Sequence, residues 1–353
     1  MKILHIIHKI QNRGAEIFTC QLAYHLRDLG HEVKIVAVYS GEARLPFSPN
    51  IENLNASGFT DIGSWRKISK IIKHFNPDII QANSGDTLKF LIISKIIFGW
   101  KVPVVFRNAS EVGRYIKSYK QKVFNKFLYK NVDRVISVSE ASKNDILSNF
   151  PFLKDKVEVI PVGLEMGNPI KEFIYEPVIH KHIVHVGGFS FEKNHKGLIS
   201  IFKRVLDICP NTQLHLIGDG PLKNEIMNEI RKSGIAENIN FHGFVDNPLD
   251  YIASADLLVL PSKIEGLPGV LLEAMYCKTP VIAYAVGGIS EIVNKNTGYL
   301  IKYGKEQLFT DTIVNSLKKD NQCIINAAFD KVTKEFDNRV IAKSFIESYE
   351  ILR

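Results

Sequence analysis

Leu258-Val259-Leu260-Pro261-Ser262-Lys263-Ile264-Glu265-Gly266-Leu267-Pro268-Gly269-Val270-Leu271-Leu272-Glu273-Ala274-Met275 reads as a buried strand, a Pro/Gly-rich loop and the first turns of a helix. The aliphatic run ends at Leu260, and helical spacing begins near Pro268 or Gly269. In open α/β sheets ligands bind beyond the carboxyl ends of the strands, so the loop over 265–269 sits where a ligand is expected. The new helix would present free N–H groups and the positive end of its dipole to phosphate or sugar oxygens. Pro268 gives up only an N–H that a helix start does not use internally. Two carboxylates flank this turn, Glu265 in the loop and Glu273 about one turn into the helix. A carboxylate accepts two hydrogen bonds from vicinal hydroxyls, the arrangement a ribose or hexose diol offers. Singly, each glutamate would pass for an ordinary surface charge; their joint placement on one strand–loop–helix is the functional signal.

Outward from this stretch, strands and helices alternate from end to end. Strands are expected at 2–7, 31–38, 78–81, 102–106, 132–138 and 157–160, with helices at 14–29, 86–98, 115–130 and 140–149, the last capped by Ser139. After Pro161 the rhythm restarts, with strands at 182–186, 213–217, 239–242, 257–260, 280–283 and 298–301. Helices are expected between them at about 195–206, 221–232, 248–253, 269–276 and 288–293, and after them at 306–317. Strands aliphatic on both faces and separated by helices indicate parallel sheets covered on both sides. The fold class is therefore α/β, with two Rossmann-like parallel-sheet domains in tandem, because 353 residues exceed one ordinary core. The expected division is 1–165, 166–337 and an amphipathic helix over 338–353. A linker is expected near 161–176, where Gly163, Gly167 and Pro169 break the periodicity.

Cys20, Cys209, Cys277 and Cys323 lie far apart, which speaks against a disulfide framework or a structural zinc site and fits a reducing cytosol. The apolar run at the N-terminus is too short for a signal peptide. Lys95, Lys101 and Pro103 interrupt the most apolar stretch, so neither a membrane span nor export is expected. The net charge of +8 is uneven: residues 1–160 carry 24 Lys and Arg against 14 Asp and Glu. The segment 115–130 sets Lys117, Lys120, Lys122, Lys126 and Lys130 among Phe124, Phe127, Leu128 and Tyr129. Such a basic amphipathic stretch suits an anionic membrane surface, at the inner face of the plasma membrane, or a lipid-linked diphosphate acceptor. No aromatic-basic reading motif accompanies it, so nucleic acid is not an expected partner.

Glu265 and Glu273 with seven residues between them, followed by Ala274-Met275, resemble the E-x7-E motif of retaining glycosyltransferases of family 4, the "glycosyl transferases group 1" type. His185-Val186-Gly187-Gly188-Phe189-Ser190-Phe191-Glu192-Lys193-Asn194-His195 is similar to the family's Val-Gly-Arg-Leu-x-x-Glu-Lys loop. Leu216-Ile217-Gly218-Asp219-Gly220-Pro221-Leu222, Phe241-His242-Gly243-Phe244-Val245 and Ala285-Val286-Gly287-Gly288 followed by Glu291 resemble further blocks, in the right order. The resemblance implies the GT-B fold, with two Rossmann-like domains facing a central cleft and a C-terminal helix crossing back to the first. It also implies a metal-independent hexosyl transfer from a UDP- or GDP-linked sugar to a glycan or lipid-linked acceptor, in polysaccharide or lipopolysaccharide biosynthesis in the cytoplasm. Glu273 would bind the ribose, and Glu265 would contact the transferred sugar. Backbone around Gly187, Gly188, Gly266, Leu267, Pro268, Gly269 and Val270 would hold donor oxygens, and Phe244 and Val245 would meet the base. Lys193 would neutralise the leaving diphosphate, so that a lysine and a helix N-terminus replace a metal.

The family commonly has Arg where this chain has Gly188, which leaves Arg13, Lys196 or Lys263 as alternative phosphate partners. In the first half, Asn12-Arg13-Gly14-Ala15-Glu16 resembles a Gly-Gly-Ala-Glu loop in which Gly14 would permit close approach to the donor. Gln81 and Asn83 stand in for a His-x-His block, and Arg107 and Asn108 fall where many relatives have a histidine. Arg13, Glu16, Asn83, Arg107 and Asn108 are thus the acceptor-side candidates. A nicotinamide-dependent oxidoreductase would require G-x-G-x-x-G after the first strand, and residues 12–16 fail that pattern. A sugar-nucleotide epimerase of the same fold and a non-catalytic partner in a polysaccharide assembly complex are the competing classes.

Overall fold

A computed structural model describes residues 1–47, 50–167, 170 and 181–353. In chain order its elements are β1 (Lys2–Lys9), α1 (Gly14–Asp28), β2 (Glu32–Tyr39), β3 (Glu52–Asn53), α2 (Ile62–Phe75), β4 (Ile79–Ala82), α3 (Gly85–Phe98), β5 (Val104–Asn108), α4 (Tyr119–Lys130), β6 (Arg134–Ser137), α5 (Glu140–Asn149) and β7 (Val157–Val159). They continue with β8 (Lys181–Val186), α6 (His195–Ile208), β9 (Thr212–Ile217), α7 (Lys223–Ser233), β10 (Ile239–Gly243), α8 (Pro248–Ala253), β11 (Leu257–Leu260), α9 (Gly269–Tyr276), β12 (Val281–Tyr284), α10 (Ile289–Ile292), β13 (Tyr299–Ile301), α11 (Glu306–Lys318), α12 (Gln322–Glu335) and α13 (Asn338–Glu350).

Met1–Glu165 and Asn338–Arg353 form one compact unit, and Met166–Asp337 forms the other. Part of the linker expected at 161–176, namely 168–169 with Pro169 and 171–176, lies outside the described residues. The first unit holds a seven-stranded sheet in the order β3-β2-β1-β4-β5-β6-β7. The second holds a six-stranded sheet in the order β10-β9-β8-β11-β12-β13, and every strand pair in both is parallel. Each sheet grows outward in both directions from its first strand, so the order reverses between β1 and β4 and again between β8 and β11. Such reversals open a crevice at the carboxyl ends of the two strands, where α/β proteins bind ligands.

Burial on both faces explains the aliphatic strands: Ile3, Leu4, Ile6 and Ile7 of β1 and Leu257, Leu258, Val259 and Leu260 of β11 are shielded from solvent. In the first unit α13 packs on α1, with Phe345 6.0 Å from Phe18, and Asn338 N–H donates to Leu164 O at 3.1 Å. Phe345 and Tyr349 are fully buried there.

The sequence placed no helix over 62–75 or 322–335, and both stretches are helical. α2 is started by Asp61, whose Oδ1 accepts from Ser64 N–H at 3.0 Å, and it buries Trp65, Ile68 and Ile72. α12 buries Ala328 and Val332 and stacks Phe329 on Tyr276 of α9 at 5.9 Å. β5 runs over Val104–Asn108 instead of 102–106, because Pro103 has no N–H for the ladder and contributes only its carbonyl, to Ile80 N–H. Arg107 and Asn108 therefore pair in register with Ile136 and Ser137, inside the sheet. α4 begins at Tyr119 instead of 115, capped by Ser118, after a short 3-10 turn over Val112–Tyr115.

Candidate active site

In the second unit the loops leaving β8 and β11 are neighbours at the reversal of strand order. Lys263 N–H donates to Glu192 O at 2.7 Å, and Asn194 Nδ2 donates to Pro261 O at 3.0 Å. These two bonds bring Lys193 to Glu265, with Nζ 2.7 Å from Oε1. Glu265 is buried and Lys193 less so. An ion pair shielded on one side and open on the other keeps its charges in place for a third, anionic participant. Gly187 makes room for the lysine stem: a Cβ there would come 3.2 Å from Lys193 Cδ.

α9 starts directly after this pair. Pro268 is its N-cap and no side chain caps it, so its first N–H groups and its dipole face the same loop. Gly266, Leu267 and Pro268 are buried, whereas Gly269 and Val270 at the helix start are half-buried. The loop after β12 supports the arrangement from below, with Gly288 N–H donating to Gly266 O at 2.8 Å. Glu273 has no side-chain partner among the described residues, and burial pushes its carboxyl up to about 7. Its ionisation is thereby displaced towards neutral pH, which the sequence did not foreshadow. Phe244 is exposed and Val245 partly so, on the loop leaving β10 at the edge of the sheet.

His185 and His195 lie in the same block as Lys193, and the sequence reading gave them no role. His185 Nδ1 is 2.9 Å from Val259 O, its ring meets His195 edge-on at 4.9 Å, and Phe189 stacks on His195 at 4.1 Å. Burial lowers His185 to about 4 and His195 to about 2, with Lys193 a further contributor to both. Both rings are neutral at physiological pH and add no charge to that of Lys193. Of the alternative phosphate partners, Lys196 is paired with Glu225 at 2.5 Å, Lys263 Nζ sits 4.5 Å over the Phe191 ring, and Arg13 is exposed. Gly188 is not crowded, its nearest neighbour to a built Cβ being Asp219 O at 3.4 Å.

The acceptor-side candidates belong to the first unit, around the reversal between β1 and β4. Arg13 and Gly14 are exposed at the start of α1. Glu16, Asn83, Arg107 and Asn108 are instead buried and engaged internally. Gln11 Nε2 donates to Glu16 Oε1 at 3.0 Å. Asn83 accepts from Gln81 Nε2 at 2.9 Å and donates to Ile6 O at 3.2 Å. Arg107 donates to Ala15 O at 3.3 Å, with its guanidinium 4.5 Å over the Phe18 ring, and burial lowers it only to about 10, so it stays charged. Asn108 Nδ2 donates to Ser137 Oγ and Ser142 O, both at 3.2 Å, tying β5 to β6 and α5. Tyr349 of α13 closes the cluster by donating to Gln81 Oε1 at 2.6 Å. Polar residues at the strand ends thus form an internal network in the core of the unit, in which Arg107 Nε is left without a partner among the described residues.

On α4, Leu128 and Tyr129 are buried and Phe124 partly so; the exposed apolar residues are Tyr119, Val123 and Phe127, one face of the helix. Lys120, Lys122, Lys126 and Lys130 surround that stripe and are exposed. Among the described residues no helix is long and apolar enough to cross a membrane, and no group of three or more His, Cys, Asp and Glu is arranged to hold a metal ion.

Two parallel-sheet units, each with its strand order reversing beside its first strand, define a fold of two Rossmann-like units in tandem. Two family descriptions divide the chain between them: "Glycosyltransferase Family 4" matches residues 12–166 and "Glycosyl transferases group 1" matches residues 171–331. The chain belongs to the glycosyltransferases that these two descriptions cover. It is 29% identical over 240 residues to an uncharacterized glycosyltransferase of Methanocaldococcus jannaschii, a match covering 62% of this chain and 58% of that protein. It is 24% identical to the Campylobacter jejuni N-acetylgalactosamine-N,N'-diacetylbacillosaminyl-diphospho-undecaprenol 4-alpha-N-acetylgalactosaminyltransferase, over 69% of this chain and 70% of that one. A Staphylococcus aureus capsular polysaccharide biosynthesis glycosyltransferase, CapH, is 25% identical over 83% of each chain. Among solved structures, Anabaena HepE in complex with UDP and glucose superposes with a TM-score of 0.84 at 22% identity, over 99% of both chains.

Proposed function

We propose that this chain transfers a hexose-type sugar from a UDP- or GDP-linked donor to a glycan or lipid-linked acceptor, with retention at the anomeric carbon and without a metal, in the assembly of a cell-surface polysaccharide or lipopolysaccharide. The observation that carries this reading is the Lys193–Glu265 pair, 2.7 Å across, at the uncapped start of α9. Relatives named for capsular polysaccharide and for an undecaprenol-linked acceptor support the class of product. A structural neighbour holding UDP and glucose supports the class of donor.

In this reading the diphosphate leaves with its negative charge facing the Lys193 ammonium and the first N–H groups of α9. Both are fixed in advance and need no reorganisation during the reaction. Glu265 holds hydroxyls of the transferred sugar and Glu273 the ribose, while Phe244 and Val245 meet the base. The acceptor oxygen bonds to the anomeric carbon on the face from which the diphosphate oxygen departs, and the acceptor proton passes to that departing oxygen. The work is then positioning and charge stabilisation, with no enzyme nucleophile. The exposed stripe of α4 among its lysines serves as a peripheral contact with the inner, anionic face of the plasma membrane.

The test is transfer from a panel of UDP- and GDP-linked sugars, in EDTA, to lipid-linked and free glycan acceptors, with the anomeric configuration of the product read by NMR. Failure to bind any nucleotide or nucleotide sugar would overturn the reading, and inversion at the anomeric carbon would overturn the stereochemical part alone.

A further inference from the structure

A cavity of 340 Å³ opens in the second unit between the first turns of α6, the segment around Lys263 and the ends of β12 and β13. Its size lies within the range of about 300–1,000 Å³ that small-molecule sites occupy. Neither Lys193, Glu265 nor Glu273 lines it. Its walls carry Lys196, Ser200, Lys263, Tyr284, Tyr303 and Glu306.

Three separate features point to an oxyanion with hydroxyls attached. The first is the start of α6, a 14-residue helix whose N-cap residue, Asn194, gives its side-chain amide to Pro261 O and leaves the helix without a side-chain cap. Uncapped N–H groups and the positive dipole end favour an anion. The second is Tyr284, only 1% exposed, whose hydroxyl has no hydrogen-bond partner among the described residues. The ring is fixed edge-on between Tyr303 at 5.4 Å and Phe309 at 4.9 Å, so it cannot swing away to find one. A buried hydroxyl left unpaired is unfavourable, and a ligand oxygen would complete it.

The third feature is the charge balance of the walls. Lys196 faces Glu225 at 2.5 Å, and Glu306 accepts from Arg204 at 3.2 Å and Ser200 at 3.3 Å. Lys263 has no carboxylate partner among the described residues and rests on the Phe191 ring. One unopposed ammonium therefore stands on the wall, while Glu306 and Ser200 offer partners for neutral hydroxyls.

We propose that this cavity binds a small phosphorylated sugar. The phosphate lies against the start of α6, Lys263 and the Tyr284 hydroxyl, and the sugar hydroxyls turn towards Glu306 and Ser200. The site is separate from the donor site proposed above and stands whatever reaction the chain performs. Lys263 couples the two, because its N–H holds Glu192 O next to Lys193, and it lies two residues from Glu265. An occupant that fixes Lys263 therefore acts on both residues of the ion pair.

Calorimetric titration of the full chain with glucose 1-phosphate, with inorganic phosphate and with glucose, each with and without saturating UDP, tests this. One glucose 1-phosphate per chain is expected to bind, at least tenfold more tightly than either fragment, and to remain bound in saturating UDP. Tyr284→Phe, which keeps the ring and its packing, and Lys263→Gln are each expected to weaken that binding roughly five- to tenfold. Displacement of glucose 1-phosphate by UDP would overturn the proposal, as would equal affinity in both variants or no binding at about 10 mM ligand. Equal affinity for inorganic phosphate would remove the sugar from it.

Discussion

Gly287, at φ +53°, brings its backbone so close to Glu265 that a Cβ on it would come 1.9 Å from the Glu265 carbonyl oxygen. The left-handed conformation and the contact both demand glycine. Gly287→Ala must displace either its own loop or residues 265–266, which carry the ion pair. A loss of at least tenfold in kcat/KM is expected, with a lowered Tm. Wild-type kinetics in this variant would show that the loop after β12 has no part in placing Glu265.

Glu265 and Glu273 should separate in kinetics. Glu265→Gln removes a charge that pairs with Lys193 and, in the proposed function, contacts the transferred sugar, and kcat is expected to fall about 100-fold with donor affinity little changed. Glu273→Gln is expected to weaken donor binding about tenfold while kcat holds. Measuring both constants with a single donor decides it; the reverse pattern would exchange their roles.

The raised pKa of Glu273 yields a pH dependence of defined sign. Its carboxyl ionises near 4.5 when exposed and near 7 in the folded chain, because burial disfavours the charge. The folded state is therefore unpenalised below about pH 4.5, loses stability as pH rises, and carries the full penalty, about 3 kcal/mol, above pH 7. Glu273→Gln should stabilise the protein at pH 8 and make little difference at pH 4, as read by denaturant unfolding. If Glu273 accepts from the ribose as proposed, donor affinity should decline below pH 7 in the wild type, as that carboxylate is lost, and stay flat in the variant.

The membrane contact proposed for α4 is electrostatic and apolar together. Lys122→Glu with Lys126→Glu is expected to abolish co-sedimentation with anionic vesicles, and Phe127→Ser to weaken it. Binding by the wild type should fall between 0.05 and about 0.5 M salt. Equal binding to neutral vesicles would contradict the electrostatic part.

The strand–loop–helix that carries Glu265 and Glu273 was legible in the sequence because its signal is local: a strand, a Gly/Pro loop and a helix start lie within 18 residues. The contact of Lys193 with Glu265 required the strand order, since 72 residues separate them. The surroundings of the acceptor-side candidates were illegible for a related reason. Asn83 and Arg107 are polar residues at strand ends, which ordinarily face a crevice, but the group that closes their network is Tyr349, 268 residues beyond Gln81. No local pattern carries such a partner. α2 went unread because Gly63 and the preceding Ser57-Gly58 obscure a helix start that Asp61 in fact supplies. α12 has only two fully buried residues to mark its face.

Tyr349→Phe isolates that closure. It leaves the Gln81 amide oxygen without its donor in a fully buried site, and a loss of about 1–2 kcal/mol in unfolding free energy is expected. Retention of full stability would mean that the amide finds another partner.

The passage of the chain out of the first unit at Glu165 and back at Asn338 also sets an order of events during synthesis. The first seven strands emerge early from the ribosome, but Phe345 and Tyr349 arrive only after the whole second unit has been translated. At about 5–20 residues per second that is a delay of roughly 9–35 s. Through that interval the α1 surface that α13 will cover stays bare and the Gln81 amide oxygen lacks the Tyr349 donor, so completion of the first unit waits on the synthesis of α13.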